Sequence, residues 1–364
     1  AAALVVAALA VGGIGGYTVT RNLESGTSTV SASSASVVTT PPSGSGATSA
    51  MKQLTLSEIE AAVDPALVDI TATLGGSGTA AGTGMVISST GEVLTNNHVI
   101  TGATSIMVQI GGTGAKYAAQ VVGYDTTDDV AVLQIAHVSG LATIATASAS
   151  TVSANDAVVA IGNALGKAGT PTAVDGVVAA LAQTITASDQ YGASAETLNG
   201  LIEFTADVQP GDSGGSLVNA YGQVVGMTTA ASSNVRSRAT PASTSTTAYA
   251  IPIDRALAIA RQIGAGSESA TVHIGEHGLL GIQVDATIGG GVAVVAVQSG
   301  SAAAQAGIGA GDIITAVNGK NIDSGTALST ALASTHVGEK IAVSWQDGNG
   351  APHTASTTLT TGAA

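Results

Sequence analysis

The chain has 364 residues and a formal net charge of −14, and its length allows two folded domains. The acidic balance argues against nucleic acid or anionic lipid head groups as the main partner. The sequence has no cysteine, which excludes disulfides, thiolate catalysis and thiolate metal sites. Aromatic residues make up only 2% of a chain dominated by small and β-branched residues, which favours short strands over helical bundles.

The N-terminal stretch predicts a transmembrane anchor or signal segment over residues 1–20, because residues 1–19 are uncharged and mostly apolar. A cleaved signal and a buried helix are the alternatives to a membrane-spanning helix. Residues 21–53, rich in Ser, Thr and Pro, predict a flexible linker. An anchor places the remaining chain outside the cytoplasm on a single membrane span, and a cleaved signal makes it secreted or periplasmic.

Residues 54–263 predict an all-β domain of barrel or sandwich type. A capping box at Ser57–Glu60 opens a short helix, and about twelve strand-like runs separated by Gly or Asx turns follow it. A helix candidate at Asp254–Ile263 ends the domain. Residues 264–273 predict a linker, and residues 274–362 predict a small α+β domain.

The segment Gly211-Asp212-Ser213-Gly214-Gly215 carries the clearest chemical signal. Flanking glycines suit a tight loop that exposes the serine oxygen and turns backbone N–H groups toward one point. The N–H groups of Gly211, Asp212 and Ser213 are therefore predicted to form an oxyanion hole. Taken alone, the segment is equally well explained as an ordinary loop.

A serine nucleophile needs an imidazole as base and a carboxylate to orient that imidazole. The first domain holds two histidines. His98 follows a strand, where it can face a cleft, whereas His137 has no polar framework and is predicted to be a bystander. Asp128 and Asp129 directly precede an apolar strand, and either can supply the carboxylate.

Three segments together resemble the His, Asp and Ser motifs of the chymotrypsin-fold serine proteases, and in detail those of the HtrA (Deg) family: Thr95–Ile100, Thr127–Leu133 and Gly211–Gly215. The order and the separations of 31 residues (98 to 129) and 84 residues (129 to 213) fit that family. The resemblance implies two six-stranded β-barrels and catalytic roles for His98, Asp129 and Ser213. It selects Asp129 because the family's carboxylate directly precedes the Val-Ala-Val-Leu strand.

The C-terminal block resembles a PDZ domain through Gly278–Ile282 and Ala310–Gly319. The resemblance implies that the N–H groups of Leu280, Gly281 and Ile282 capture a peptide's C-terminal carboxylate. The peptide would then add as a strand beside a helix at residues 326–333. A spacer domain that binds nothing is the alternative.

Substrate preference rests on a weaker signal. The family usually has an Asp eight residues before the nucleophile, where this chain has Thr205, but Asp207 lies six residues before it. Asp207, together with Thr228 and Thr229, is predicted to shape the primary specificity pocket and to favour Lys or Arg before the scissile bond. The alternative is a structural loop Asp with the branch's usual preference for small aliphatic residues.

The resemblance implies an extracytoplasmic, ATP-independent endopeptidase that cleaves unfolded or damaged proteins and forms a homo-oligomer, commonly a trimer. A chaperone or binding protein whose protease site is held inactive is the second interpretation, and a catalytically dead scaffold is the third. No HExxH, Walker or Rossmann pattern occurs in the sequence, so no cofactor or metal is expected.

Overall fold

The computed structural model describes residues 18–21, 52–74, 78–163, 169–188, 195–231, 246–276, 278–288, 290–333 and 335–360. Strand β1 (Thr18–Arg21) pairs antiparallel with Ile185–Ser188. The transmembrane anchor or signal segment predicted over residues 1–20 lies outside the described residues up to residue 17, and residues 18–20 belong to β1. Most of the predicted linker 21–53 is also outside the described residues. Among those that are described, no helix is long and apolar enough to span a bilayer.

Helix α1 (Leu56–Val63) opens the protease domain. Its N-cap is Thr55, whose hydroxyl accepts from the Glu58 N–H while the Glu58 carboxylate accepts from the Thr55 N–H. The capping box therefore lies two residues before the predicted Ser57–Glu60 box. A 3₁₀ turn around Pro65 (Asp64–Ala66) then leads into the sheet.

Six strands close the first barrel: β2 (Leu67–Leu74), β3 (Gly78–Val86), β4 (Glu92–Thr95), β5 (Ala103–Ile110), β6 (Lys116–Asp125) and β7 (Val130–Ile135). All neighbours are antiparallel, and the ring runs β2-β3-β4-β7-β6-β5 and back to β2. A one-turn helix α2 (Asn97–Ile100) follows β4.

Six further strands close the second barrel: β8 (Ala157–Gly162), β9 (Thr172–Ser188), β10 (Ala195–Ala206), β11 (Ser216–Asn219), β12 (Val224–Ala231) and β13 (Thr246–Pro252). The ring runs β8-β9-β10-β13-β12-β11 and back to β8, with β1 added outside β9. The predicted pair of six-stranded barrels is thus confirmed.

Helix α3 (Ile253–Gly264) and strand β14 (Val272–Ile274) follow the second barrel. Strand β14 pairs with β6 and so adds an edge strand to the first barrel. Both ends of the predicted linker 264–273 therefore lie in regular structure of the protease domain, and the chain returns to the first barrel before it enters the PDZ domain.

The PDZ domain contains five strands in one path and a short sixth strand, β18, beside β17. Its elements are β15 (Ile282–Ile288), β16 (Gly291–Val297), α4 (Ala302–Ala306), β17 (Ile313–Val317), β18 (Lys320–Asn321), α5 (Gly325–Ala333), β19 (Lys340–Gln346) and β20 (Pro352–Thr358). Its separate apolar core includes Leu280, Val343 and Trp345.

One apolar cluster joins the two barrels. Leu94 and Val132 contribute from the first barrel, and Ile161 and Met227 from the second. Because these residues are buried against one another, the segments that follow β4, precede β7 and precede β11 meet where the barrels pack. Those three segments carry His98, Asp129 and Ser213.

Candidate active site

Asp129 lies in a tight turn between β6 and β7. The turn is built by Asp125, whose Oδ1 accepts from the N–H groups of Thr127 and Asp128. Asp129 itself has a left-handed backbone with φ of 51°, an unusual conformation for a residue other than glycine. The Asn96 side-chain amide donates to the Asp129 carbonyl at 2.9 Å, so the segment next to His98 also fixes this turn.

The buried Asp129 carboxylate holds His98 by two hydrogen bonds. Oδ1 accepts from the His98 backbone N–H at 3.0 Å, and Oδ2 lies 2.8 Å from His98 Nδ1. A carboxylate on Nδ1 places the proton there and leaves Nε2 as the basic nitrogen. The structure thus brings together His98 and Asp129, as predicted, whereas the other candidates lie elsewhere.

Those other candidates have separate contacts. Asp128 forms an ion pair with Arg255 of α3, and Arg255 also donates to the Asn199 carbonyl. His137 is exposed. The arrangement agrees with the choice of Asp129 over Asp128 and of His98 over His137.

Ser213 lies in a loop whose backbone is hydrogen-bonded to two strands, β3 and β12. The Ser213 carbonyl accepts from the Thr83 N–H at 2.8 Å, and the Gly214 N–H donates to the Thr228 carbonyl. Gly214 has φ of 82°, and a Cβ at this position would lie 2.0 Å from the Thr83 carbonyl oxygen. Only glycine fits there, which explains the glycine directly after the serine.

Thr229 links the serine to the carboxylate. Its carbonyl accepts from Ser213 Oγ at 3.3 Å, and its own hydroxyl donates to Asp129 Oδ2 at 2.5 Å. Thr229 was predicted as a specificity-pocket residue, but its polar groups contact the candidate triad. The signal that could have found it is its position on β12, the strand to which the nucleophile loop is hydrogen-bonded.

Two of the three predicted oxyanion donors are available. The N–H groups of Gly211 and Ser213 donate to no acceptor within the described part of the chain. The Asp212 N–H, in contrast, donates to the Gln209 carbonyl at 3.1 Å. The prediction for Asp212 is therefore wrong, because its amide closes the turn that orients the other two.

The buried Asp212 side chain stabilises this loop. Oδ2 accepts from the Gln209 N–H at 2.8 Å, whereas Oδ1 has no hydrogen-bond partner among the described residues. Burial is the main cause that raises the pKa of Asp212 to about 6, and the nearby Asp207 raises it further. The carboxyl packs on Gly162, where a Cβ would lie 2.8 Å from Asp212 Oδ1.

The predicted specificity residues Asp207 and Thr228 differ in their surroundings. Asp207 is exposed and accepts from the Gln209 side chain at 2.8 Å. Thr228 is buried, and its hydroxyl has no hydrogen-bond partner in the described part of the chain. Residues 232–245 lie outside the described residues, so a preference for Lys or Arg stays a prediction.

The PDZ loop around Leu280 and Gly281 is held by backbone hydrogen bonds. Its turn is fixed by bonds from the Gln298 N–H to the Gly281 carbonyl and from the Ala303 N–H to the Leu280 carbonyl. The N–H groups of Leu280 and Gly281 donate to no described residue. Gly281 has φ of 74° and lies against Ser301, where a Cβ would be 2.3 Å from the serine Cβ. Two adjacent free amides at the start of β15 suit a carboxylate.

The start of the PDZ domain lies close to α2. A cleft beside α2 is lined by Ile100 and Tyr124 of the protease domain and by Glu276 and Leu279 at the start of the PDZ loop. Helix α2 carries His98, so this cleft lies beside the helix of the candidate base.

Comparisons with known proteins agree with this division. Residues 82–227 match the trypsin-like peptidase domain family, and residues 278–359 match the PDZ domain family. The chain is 33% identical to the "Serine protease Do-like HtrA" of Lactococcus lactis subsp. lactis, over 72% of this chain and 67% of that protein. It is 34% identical to the "Serine protease PepD" of Mycobacterium tuberculosis, over 83% of this chain and 65% of that protein. It is also 34% identical to the "Periplasmic pH-dependent serine endoprotease DegQ" of Escherichia coli, over 72% of this chain and 55% of that protein.

Proposed function

We propose that this chain, which belongs to the HtrA family of serine proteases, is an ATP-independent endopeptidase. Its proposed substrates are unfolded or damaged proteins outside the cytoplasm. The observation that carries the proposal is the hydrogen-bonded path from His98 through Asp129 and Thr229 to Ser213. Support for the location comes from the relatives named as periplasmic proteases.

The geometry supports acyl transfer through Ser213. Ser213 Oγ leaves the Thr229 carbonyl and attacks the scissile carbonyl carbon while its proton passes to His98 Nε2. The new oxyanion is bound by the N–H groups of Gly211 and Ser213, each worth roughly 3–4 kcal/mol in the transition state. The proton on His98 then goes to the leaving amine, and water hydrolyses the acyl-enzyme by the same path.

Asp129 stabilises the charge that develops on His98. Its carboxylate accepts hydrogen bonds from the His98 backbone N–H, the imidazole and the Thr229 hydroxyl. Asp129 is buried, so water does not screen its interaction with the imidazolium. The proton on Nδ1 also keeps the imidazole in the tautomer that the base needs.

The PDZ domain is proposed to bind exposed C-termini and to raise or lower protease activity through the cleft beside α2. An unfolded chain offers both an exposed C-terminus and an extended segment for the active site, which suits the proposed substrates. A homo-oligomer is proposed from the family resemblance.

Degradation of casein, which lacks a stable fold, tests the proposed function. We expect the wild-type chain to degrade casein and to leave a stably folded protein intact, and Ser213→Ala to lose roughly 10⁶-fold in kcat. Equal inactivity of both proteins, with aggregation of an unfolding client still suppressed, would establish the chaperone interpretation and contradict the proposal. Degradation of casein by Ser213→Ala would contradict the assignment of the nucleophile.

A further inference from the structure

Thr83 is a buried threonine on β3, at the place where the first barrel contacts the nucleophile loop. Its side chain has no exposed surface. Its backbone N–H donates to the Ser213 carbonyl at 2.8 Å, and its carbonyl accepts from the Thr95 hydroxyl at 2.7 Å. Both backbone groups are therefore used to dock the loop and strand, and the side chain is left to make contacts of its own.

The Thr83 hydroxyl joins two segments of the second barrel. It donates to the Gly211 carbonyl at 2.8 Å and accepts from the Asn163 N–H at 2.8 Å. A hydroxyl has a single hydrogen, and here that hydrogen is committed to Gly211. Both distances are those of well-formed hydrogen bonds. Valine has the shape of threonine but can make neither bond.

Gly211 is the residue at which such a bond matters most. Its φ is 103°, and glycine permits wide rotation on both sides of the Cα. Its N–H group is a candidate oxyanion donor, so its direction decides whether the hole is complete. A bond to the carbonyl of the same residue limits the rotation that would turn this N–H group away.

Asn163 brings a second segment into the same contact. It directly follows β8 and is buried, and its neighbour Gly162 packs against the Asp212 side chain. The end of β8 therefore contacts the nucleophile loop twice, through Asp212 and through the Thr83 hydroxyl. A shift of Asn163 would withdraw one of the two bonds that hold the hydroxyl in place.

We propose that Thr83 is a positioning residue, whose hydroxyl holds the oxyanion donor Gly211 in its active direction and couples that direction to the end of β8. This role rests on the proposed function of Ser213 as the nucleophile. Thr83 touches neither substrate nor reacting atoms and acts through Gly211. Thr83 differs from a purely structural threonine, because loss of its hydroxyl should weaken transition-state binding and leave substrate binding intact.

Three variants of the full chain test this role with a peptide substrate and a peptide boronic acid, which forms a tetrahedral adduct with the serine. We expect Thr83→Val to lower kcat by up to ~10²-fold, the effect of losing one oxyanion donor, with KM unchanged. The inhibition constant of the boronic acid should rise by the same factor. Thr83→Ser retains the hydroxyl and should retain wild-type kcat.

Thr357→Val is the matched control. The Thr357 hydroxyl is also buried and donates to a backbone carbonyl, that of Ala302 at 2.7 Å, but it lies in the PDZ domain. Thr357→Val should leave kcat, KM and the inhibition constant unchanged. If Thr83→Val fails to unfold cooperatively in urea, Thr83→Cys replaces it, since a thiol is a weak donor of similar size. The same loss of kcat is then expected.

Two outcomes overturn the inference in different ways. A Thr83→Val or Thr83→Cys protein with wild-type kcat overturns the role of Thr83 alone, as does a loss confined to KM. A wild-type chain that neither hydrolyses the peptide nor binds the boronic acid overturns the proposed function and the role of Thr83 with it.

Discussion

The Asp212 side chain predicts that the protease domain becomes less stable as the pH rises through the acidic range. Asp212 is buried, and one of its carboxylate oxygens has no hydrogen-bond partner within the residues that the structure describes. Asp212→Asn keeps the size of the side chain and an oxygen that can accept from the Gln209 N–H, but it removes the titratable group. The difference in stability between the two proteins should therefore depend on pH.

The magnitude follows from the pKa. Burial raises the pKa of Asp212 from 3.8 to about 6 in the folded protein, so between these values the folded state binds more protons than the unfolded state. Stability then falls with rising pH. A difference of about two pH units corresponds to about 3 kcal/mol. Between pH 4 and pH 7, the free energy of unfolding of the Asp212→Asn protein should therefore rise by up to about 3 kcal/mol relative to that of the protein that retains Asp212.

The assay is urea unfolding at a series of pH values, with Ser213→Ala in both proteins to prevent self-cleavage. Far-UV circular dichroism follows the strands of both domains, most of which belong to the protease domain. The single tryptophan, Trp345, lies in the PDZ core, so its fluorescence gives an internal reference that Asp212→Asn should not change. Asp64 and Asp69 also have pKa values raised to about 6 by burial, but they are present in both proteins and cancel in the difference.

A difference between the two proteins that is constant from pH 4 to pH 7 would refute the reasoning, because Asp212 would then titrate at its ordinary pKa. A difference that grows with falling pH would also refute it. A pH-dependent difference between the two proteins in the unfolding transition that Trp345 fluorescence reports would show that the substitution acts on the PDZ domain as well.

Gly214→Ala should abolish serine labelling and destabilise the domain in thermal unfolding, because its Cβ would lie 2.0 Å from a backbone oxygen. Gly102 also has a left-handed backbone, but a Cβ there would have nothing within 4 Å. Gly102→Ala should therefore lower the free energy of unfolding by only about 1–2 kcal/mol. Thr229→Val removes a hydrogen bond to the Asp129 carboxylate worth about 1.5–3 kcal/mol, and kcat should fall with KM unchanged; an unchanged kcat would contradict this. Gly281→Ala should abolish binding of a C-terminal peptide in fluorescence anisotropy while cleavage of a short peptide persists, and intact peptide binding would contradict the role of this loop.

The strands and the three candidate triad segments could be predicted because their signals are local, whereas the closing of the strands into two barrels was implied by the family resemblance. Short apolar runs between glycine turns specify strands, and His98, Asp129 and Ser213 each sit in a recognisable segment. The choice between Asp128 and Asp129 needed the family resemblance, since both precede the same strand. In the structure the two differ in their partners: the Asp129 carboxylate is hydrogen-bonded to His98, and Asp128 forms an ion pair with Arg255.

The remaining features depend on contacts between distant segments, which a sequence pattern does not contain. The Asp212 amide is used in a turn with Gln209, and the hydroxyl of Thr229 meets a carboxylate 100 residues away. Strand β14 joins the first barrel only because the chain crosses back to β6. In each case the deciding partner lies on another element.

Labelling of the protein by a fluorophosphonate, followed by mass spectrometry, tests the central claim most directly. The claim predicts a single adduct on Ser213 that is lost in His98→Ala and retained in His137→Ala, the matched control in which the exposed histidine of the same domain is removed. Equal labelling of His98→Ala and wild type, or an adduct on another serine, would contradict it.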